Sequence, residues 1–195
     1  GIIIFSSMSA YIISRKKNKY TRFAQFMITT PMLIPFQTIM ITLLKVMNIV
    51  NLSGSKVGLG IQYWGFGIPM AAFIYGNFMS TIPKELDESA FIDGAGTFRT
   101  YRSIIFPLLK SVTFTVIVID VMWIWNDFLL PLLMVNSSNE TKTLVLSAYT
   151  FVGQFNTQWH YAMAAMVLAV LPSIIIFIFL QKYIVEGVVA GAVKG

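Results

Sequence analysis

Apolar residues run in long blocks along this chain, and polar residues collect in the gaps between them. A bilayer core of about 30 Å needs roughly 20 residues of helix, and four blocks are that long: Phe23–Val46, Ile61–Ile82, Val112–Val135 and Tyr161–Leu180. A fifth, Gly1–Ser14, is apolar but short, and it runs directly into Arg15-Lys16-Lys17-Asn18-Lys19. A secretory signal carries its positive charges ahead of the apolar core, not behind it. The block therefore reads as the inner end of a helix that begins upstream of Gly1, and the chain as a fragment truncated at its N-terminus. Pro31, Pro35, Pro69 and Pro172 fall inside spans. Membrane helices tolerate proline where neighbouring helices satisfy the freed backbone groups. These prolines suggest bent helices around a cavity, with simple kinks in a static bundle as the plain alternative.

Composition agrees with the pattern. Hydrophobic residues make up 56% of the 195 positions and charged residues only 11%, against about a quarter charged in soluble domains. With no cysteine and one histidine, His160, the chain has no disulfide framework, thiolate metal site, iron–sulfur ligation or histidine metal centre. The formal charge of +6 is explained by topology. Eleven of the fourteen Lys and Arg residues lie in or beside Arg15–Arg22, Lys84–Lys110 and the tail from Lys182; only Lys45, Lys56 and Lys142 lie toward the other ends. Positive residues mark the cytoplasmic side, so those three segments are inside and Asn48–Gly60 and Asn136–His160 outside. This distribution gives no reason to expect a nucleic-acid partner.

The inner loop between the second and third long blocks carries the strongest local signals. Ser80-Thr81-Ile82-Pro83-Lys84-Glu85 reads as a helix start, with Ser80 or Thr81 as cap and Pro83 in the first helical position. Glu85, Asp87 and Glu88 suit the positive end of a helix dipole. Ile82, Leu86, Ala90 and Phe91 fall on one side, and Gly94 and Gly96 stop or turn the helix. Thr97–Ile105 can form a second short helix, and Pro107 opens the next span. An ordinary solvated loop is the bland reading.

The spacing is more specific than that. Glu88-Ser89-Ala90, then Gly94, Ile104, Phe106 and Pro107, resembles the EAA loop of binding-protein-dependent ABC importer permeases, with Ser89 and Phe106 as mild departures. Asp93-Gly94-Ala95 matches the Asp-Gly-Ala common at that point. By this resemblance residues 80–107 would be a cytoplasmic coupling loop, in which Glu88, Ser89, Ala90, Asp93 and Gly94 dock onto a separate ATPase. Glu88 and Ala90 would face that partner, Gly94 would supply the turn, and Leu86 and Phe91 would pack. Trp123-Ile124-Trp125-Asn126-Asp127-Phe128 resembles a segment of maltose-type sugar permeases, Gly153-Gln154-Phe155 fits as well, and the ending Gly191-Ala192-Val193-Lys194-Gly195 resembles their terminus. The chain is similar to the MalG-like subfamily over essentially its whole length. The implied fold is all-α: a polytopic membrane protein with the type I ABC importer transmembrane domain (MetI-like) over 1–195, about five helices present and the first missing.

The resemblance implies a permease subunit of an ATP-driven importer of sugar, oligosaccharide by preference, in a bacterial-type inner or plasma membrane. Its implied partners are a cytoplasmic ATPase dimer, a second MalF-like permease, an extracytoplasmic sugar-binding protein, the sugar and membrane lipid. No Gly-x-x-x-x-Gly-Lys-Ser/Thr phosphate loop is present, and one histidine at a membrane boundary makes no catalytic constellation. The chain itself is therefore read as a non-enzyme without cofactor. Asp120 and Asp127, seven apart, would share a helix face with Trp123 between them, and Asp120 falls near mid-bilayer. Intramembrane carboxylates are costly and face cavities or partners, so Asp120, Trp123, Asn126 and Asp127 form a candidate substrate path. An interhelical hydrogen bond for Asp120 and a structural role for Asp127 are the alternatives. An ion-coupled secondary transporter using Asp120, a membrane scaffold, or an ABC permease for a non-sugar solute are rival functions.

Overall fold

The computed structural model describes residues 1–136, 140–152 and 158–192. Helices dominate the described residues, joined by turns and short irregular links, without a strand among them. The chain divides into two compact units. One comprises Gly1–Leu33, Trp64–Ile117 and Gln181–Gly195; the other comprises Ile34–Tyr63 and Val118–Leu180.

In the first unit, α1 (Ile2–Arg15) buries Ser6, Ser7, Ala10 and Tyr11 and ends on a basic residue, Arg15, as favoured at the negative end of a helix. Asn18 then caps α2 (Lys19–Thr29): its side chain accepts from the N–H groups of Tyr20 and Thr21, and Thr21 returns the bond to the Asn18 N–H. Most of α4 (Lys56–Met79) also belongs here. It is unbroken through Pro69 and supplies buried Ala71, Tyr75 and Met79. The loop elements follow: α5 (Glu85–Ile92), α6 (Thr97–Thr100), a single π turn (Tyr101–Ile105) and α7 (Phe106–Leu108). The first turns of α8 (Lys110–Asn126) complete the unit, with the Tyr75 hydroxyl 3.0 Å from Thr113 Oγ1.

In the second unit, α3 (Phe36–Ile49) leads into a turn in which the Gly54 N–H donates to Met134 O at 2.8 Å. Ser55 Oγ accepts from the Val57 and Gly58 N–H groups and so caps the start of α4. The remainder of α8, α9 (Leu129–Val135), α10 (Leu144–Tyr149) and the apolar part of α11 (Trp159–Ala192) make up the rest. Leu168, Ile178 and Phe179 on α11 are largely exposed, as expected for a face turned to lipid or another membrane subunit.

Among the described residues, two helices are each long and apolar enough to cross a membrane, Lys56–Met79 and Trp159–Phe179. The number reaches four if each of two interrupted pairs counts as one span: Lys19–Leu33 with Phe36–Ile49, and Thr97–Leu108 with Lys110–Asn126. The span expected at Phe23–Val46 is thus interrupted. Pro31 and Pro35 deny N–H donors to the carbonyls four residues earlier; Thr30–Leu33 tightens to a 3-10 turn and Pro35 takes an extended ψ of 132°. The span expected at Val112–Val135 is interrupted too, between α8 and α9. There Pro131 would collide with the Asp127 carbonyl in a continuous helix, whereas in the first turn of α9 its missing N–H costs nothing.

Candidate functional site

The loop over residues 80–107 is built around one buried carboxylate. Asp87 is 5% exposed. Its Oδ2 lies 3.0 Å from Arg15 Nε, and its Oδ1 accepts from the Tyr11 hydroxyl at 2.6 Å. Arg15 Nη1 also donates to Ile82 O at 3.0 Å, in the linker before α5. Removing one partner of a buried ion pair costs about 3–5 kcal/mol, so this contact decides how α5 sits. A second tie holds the π turn. Ser7 Oγ donates to Ile3 O at 2.6 Å, which uses its only proton, so the Tyr101 hydroxyl 2.8 Å away is the donor to Ser7. The rings of Tyr11 and Tyr101 lie 5.5 Å apart.

The caps expected at Ser80 and Thr81 are not formed. Both hydroxyls donate back to carbonyls of α4, Ser80 to Asn77 O and Thr81 to Phe78 O; the end of one helix claims them before the next begins. Pro83 precedes α5 rather than opening it, and Lys84 is the cap without a side-chain bond.

Gly94 ends α5 as expected. Its φ is +78°, its N–H donates to Phe91 O at 3.1 Å, and the Ala95 N–H reaches back to Ala90 O at 2.9 Å. These two bonds close the helix just past its end, where Gly94 takes the left-handed conformation. Gly96 has an ordinary φ of −75° and caps α6.

The buried face of α5 is Asp87 and Ala90, not the Ile82, Leu86, Ala90 and Phe91 side inferred from spacing. Ala90 is 3% exposed, so its methyl lies inside the chain and does not face a partner: a small residue lets α5 seat closely. Leu86 and Phe91, expected to pack, are exposed, as is Ile92 at 86%. Glu88, Ser89, Asp93 and Gly94 are exposed with them. The structure thus brings Glu88, Ser89 and Asp93 to the surface with Leu86, Phe91 and Ile92. A cavity of about 200 Å³ beside them is lined by Tyr11, Arg15, Lys84, Asp87, Glu88 and Phe91. A wider cleft of about 720 Å³ opens among α1, α2 and the end of α4, with Lys17, Arg22 and Lys84 on its walls.

The second candidate set lies in the other unit. Asp120 lines a cavity of about 410 Å³ with Tyr63, Val121, Ile124, Trp125, Thr143, Leu144 and Val145. Asp127 is elsewhere. It follows the end of α8, where its Oδ2 accepts from the Tyr63 hydroxyl at 3.0 Å and its Oδ1 from the Leu129 N–H at 3.2 Å. Asp120 and Asp127 therefore do not share one helix face: side-chain bonds to nearby backbone compete with the helix there. Asn126 does the same, donating to Met122 O at 2.7 Å. Trp123 packs edge-on to Tyr63, with centroids 5.6 Å apart, and is not among the residues lining the cavity. Trp125 lines it and donates from Nε1 to Ala169 O at 2.8 Å. Tyr63 joins the two groups, lining the cavity and bonding Asp127; in the sequence it is one more aromatic in an apolar block. Gly153-Gln154-Phe155 lies outside the described residues, as do residues 193–195 of the final motif.

A family model described as binding-protein-dependent transport system inner membrane component matches residues 2–189. The chain belongs to this family. It is a membrane transport permease, and the localisation and fold class expected from the sequence hold. Among relatives of this permease are the probable starch degradation products transport system permease protein AmyC of Thermoanaerobacterium thermosulfurigenes, 42% identical over 99% of the chain and 70% of the relative; the multiple sugar-binding transport system permease protein MsmG of Streptococcus mutans, 35% identical over 99% and 70%; and the melibiose/raffinose/stachyose import permease protein MelC of Bacillus subtilis, 34% identical over 100% and 70%. A solved bacterial ABC transporter involved in the import of the acidic polysaccharide alginate shares the fold of the permease. The TM-score is 0.76 at 20% identity, over 93% of this chain and 68% of that one.

Proposed function

We propose that this permease is one of two membrane subunits of an ATP-driven importer of sugars of the oligosaccharide class. Hydrolysis takes place in a separate ATPase, and the solute is delivered by an extracytoplasmic binding protein. One observation carries the sugar reading: relatives 34–42% identical over nearly the whole chain are named for starch products, multiple sugars and raffinose-type sugars. The Asp120 cavity supports it, since a carboxylate can accept hydrogen bonds from sugar hydroxyls and the aromatic residues Tyr63 and Trp125 line the same space.

Residues 80–107 act as the coupling loop in this reading. The exposed face of α5 docks on the ATPase: Glu88 and Asp93 meet a cationic rim, Leu86, Phe91 and Ile92 enter an apolar cleft, and Gly94 sets the angle at which the helix is presented.

Reconstitution tests the function. The permease with its partner permease, ATPase and a soluble receptor should accumulate a labelled oligosaccharide only when ATP and receptor are present. Uptake of amino acids or inorganic ions in preference to sugar, under the same conditions, would overturn the sugar assignment. Glu88→Lys should remove most ATPase co-purification, and full retention would overturn the docking role.

A further inference from the structure

Ser7, Tyr11 and Arg15 follow one another at four-residue spacing, so they line one face of α1. That face holds the loop at two points: Ser7 takes the hydrogen bond of Tyr101 in the π turn, and Tyr11 with Arg15 takes both oxygens of Asp87 on α5. Arg15 also binds the Ile82 carbonyl, so the linker into α5 is tied to the same side chain. We propose that Tyr11, Arg15 and Asp87 form a clamp that makes α5 and α1 move as one body, with Asp87 a positioning residue for coupling. The proposal rests on the reading of α5 as the ATPase-docking helix.

The geometry argues for transmission rather than for stability alone. Packed helices held by apolar contact can slide by about 1–2 Å. The 2.6 Å hydrogen bond from Tyr11 does not survive such a shift, because hydrogen bonds weaken steeply beyond their normal range, and separating the Arg15–Asp87 ion pair, 3.0 Å on the other oxygen of the same carboxylate, adds a Coulomb cost. Both contacts are shielded from water, which could otherwise replace them. A push on α5 is therefore delivered to α1, the apolar helix whose last turn carries Arg15. Neither Tyr11 nor Arg15 belongs to the loop motif, and Asp87 stands just before it.

The experiment uses the assembled transporter in liposomes and reads sugar taken up per ATP hydrolysed, alongside the amount of ATPase bound. Asp87→Asn keeps the shape and removes the ion pair; Tyr11→Phe keeps the ring against Tyr101 and removes one bond; Asp87→Glu keeps the charge. Expected are normal ATPase binding in all three, a fall of about fivefold or more in uptake per ATP for Asp87→Asn, a smaller fall for Tyr11→Phe, and recovery toward the native ratio in Asp87→Glu. If Asp87→Asn does not assemble, Tyr11→Phe decides: a lowered ratio supports the clamp. An unchanged ratio in every assembled variant overturns it. The docking reading fails by a different result, unaltered ATPase binding in Glu88→Lys.

Discussion

The Tyr63 hydroxyl donates to Asp127 Oδ2 at 3.0 Å, joining the start of α4 to the break between α8 and α9. The other oxygen of Asp127 takes the Leu129 N–H, so one carboxylate both stops a helix and starts the next. Tyr63→Phe should lower the melting temperature of the detergent-purified permease complex by the loss of about 1 kcal/mol. Asp127→Ala should cost roughly twice that, because the bond to Leu129 goes as well. The double substitution should be less than additive.

Gly94 offers a test of the α5 terminus. A Cβ there meets nothing within 4 Å, so crowding is not an issue, yet φ is +78°. Gly94→Ala should cost about 1–2 kcal/mol through backbone strain alone, and Gly94→Asn less. Gly96→Ala, at ordinary φ and also in open space, should be close to neutral. Thermal melting with ATPase co-purification would check the series; equal losses at both glycines would contradict it.

A pair of glycines near the start of α4 separates close approach from conformational freedom. A Cβ on Gly58 would lie 2.1 Å from the Leu52 carbonyl oxygen, whereas one on Gly60 meets nothing. Backbone cannot step aside as a flexible side chain can. Gly58→Ala should therefore destabilise by about 1–3 kcal/mol, the usual penalty of overpacking, while Gly60→Ala is neutral or slightly stabilising. Melting of the two variants side by side is the measurement.

Asp120→Asn addresses the cavity. If the carboxylate binds a sugar hydroxyl, affinity for the transported oligosaccharide should fall roughly tenfold or more, with ATPase association intact. Wild-type affinity and rate would remove Asp120 from the substrate path.

The sequence made some of this plain and hid the rest for identifiable reasons. Gly94 was readable because glycine after a helical run with Asp93 before it has a local meaning. The long apolar blocks were readable because burial in lipid needs length and little else. The interruptions were only half visible. Pro31 and Pro35 announce a disturbance, but proline permits either a kink or a stop, and Pro69 and Pro172 sit in unbroken helices. Asp87 was missed because an acid in a first turn is already explained by the helix dipole; its partners, Tyr11 and Arg15, are far away in the sequence. Ala90 was misassigned because a motif says that a small residue is wanted, not which side of the helix needs the room. Tyr63 was missed because a hydroxyl that pairs with a carboxylate looks like any other aromatic in an apolar block.

The bond from Trp125 Nε1 to the Ala169 carbonyl, three residues before Pro172 in α11, works as a depth gauge. A slip of α11 by one turn would carry that acceptor about 5.4 Å along the helix axis and break the bond. Inside hydrocarbon no water stands ready to take its place. That indole ties the register of the last helix to α8, and a substitution at Trp125 would leave α11 freer to slide along its own axis.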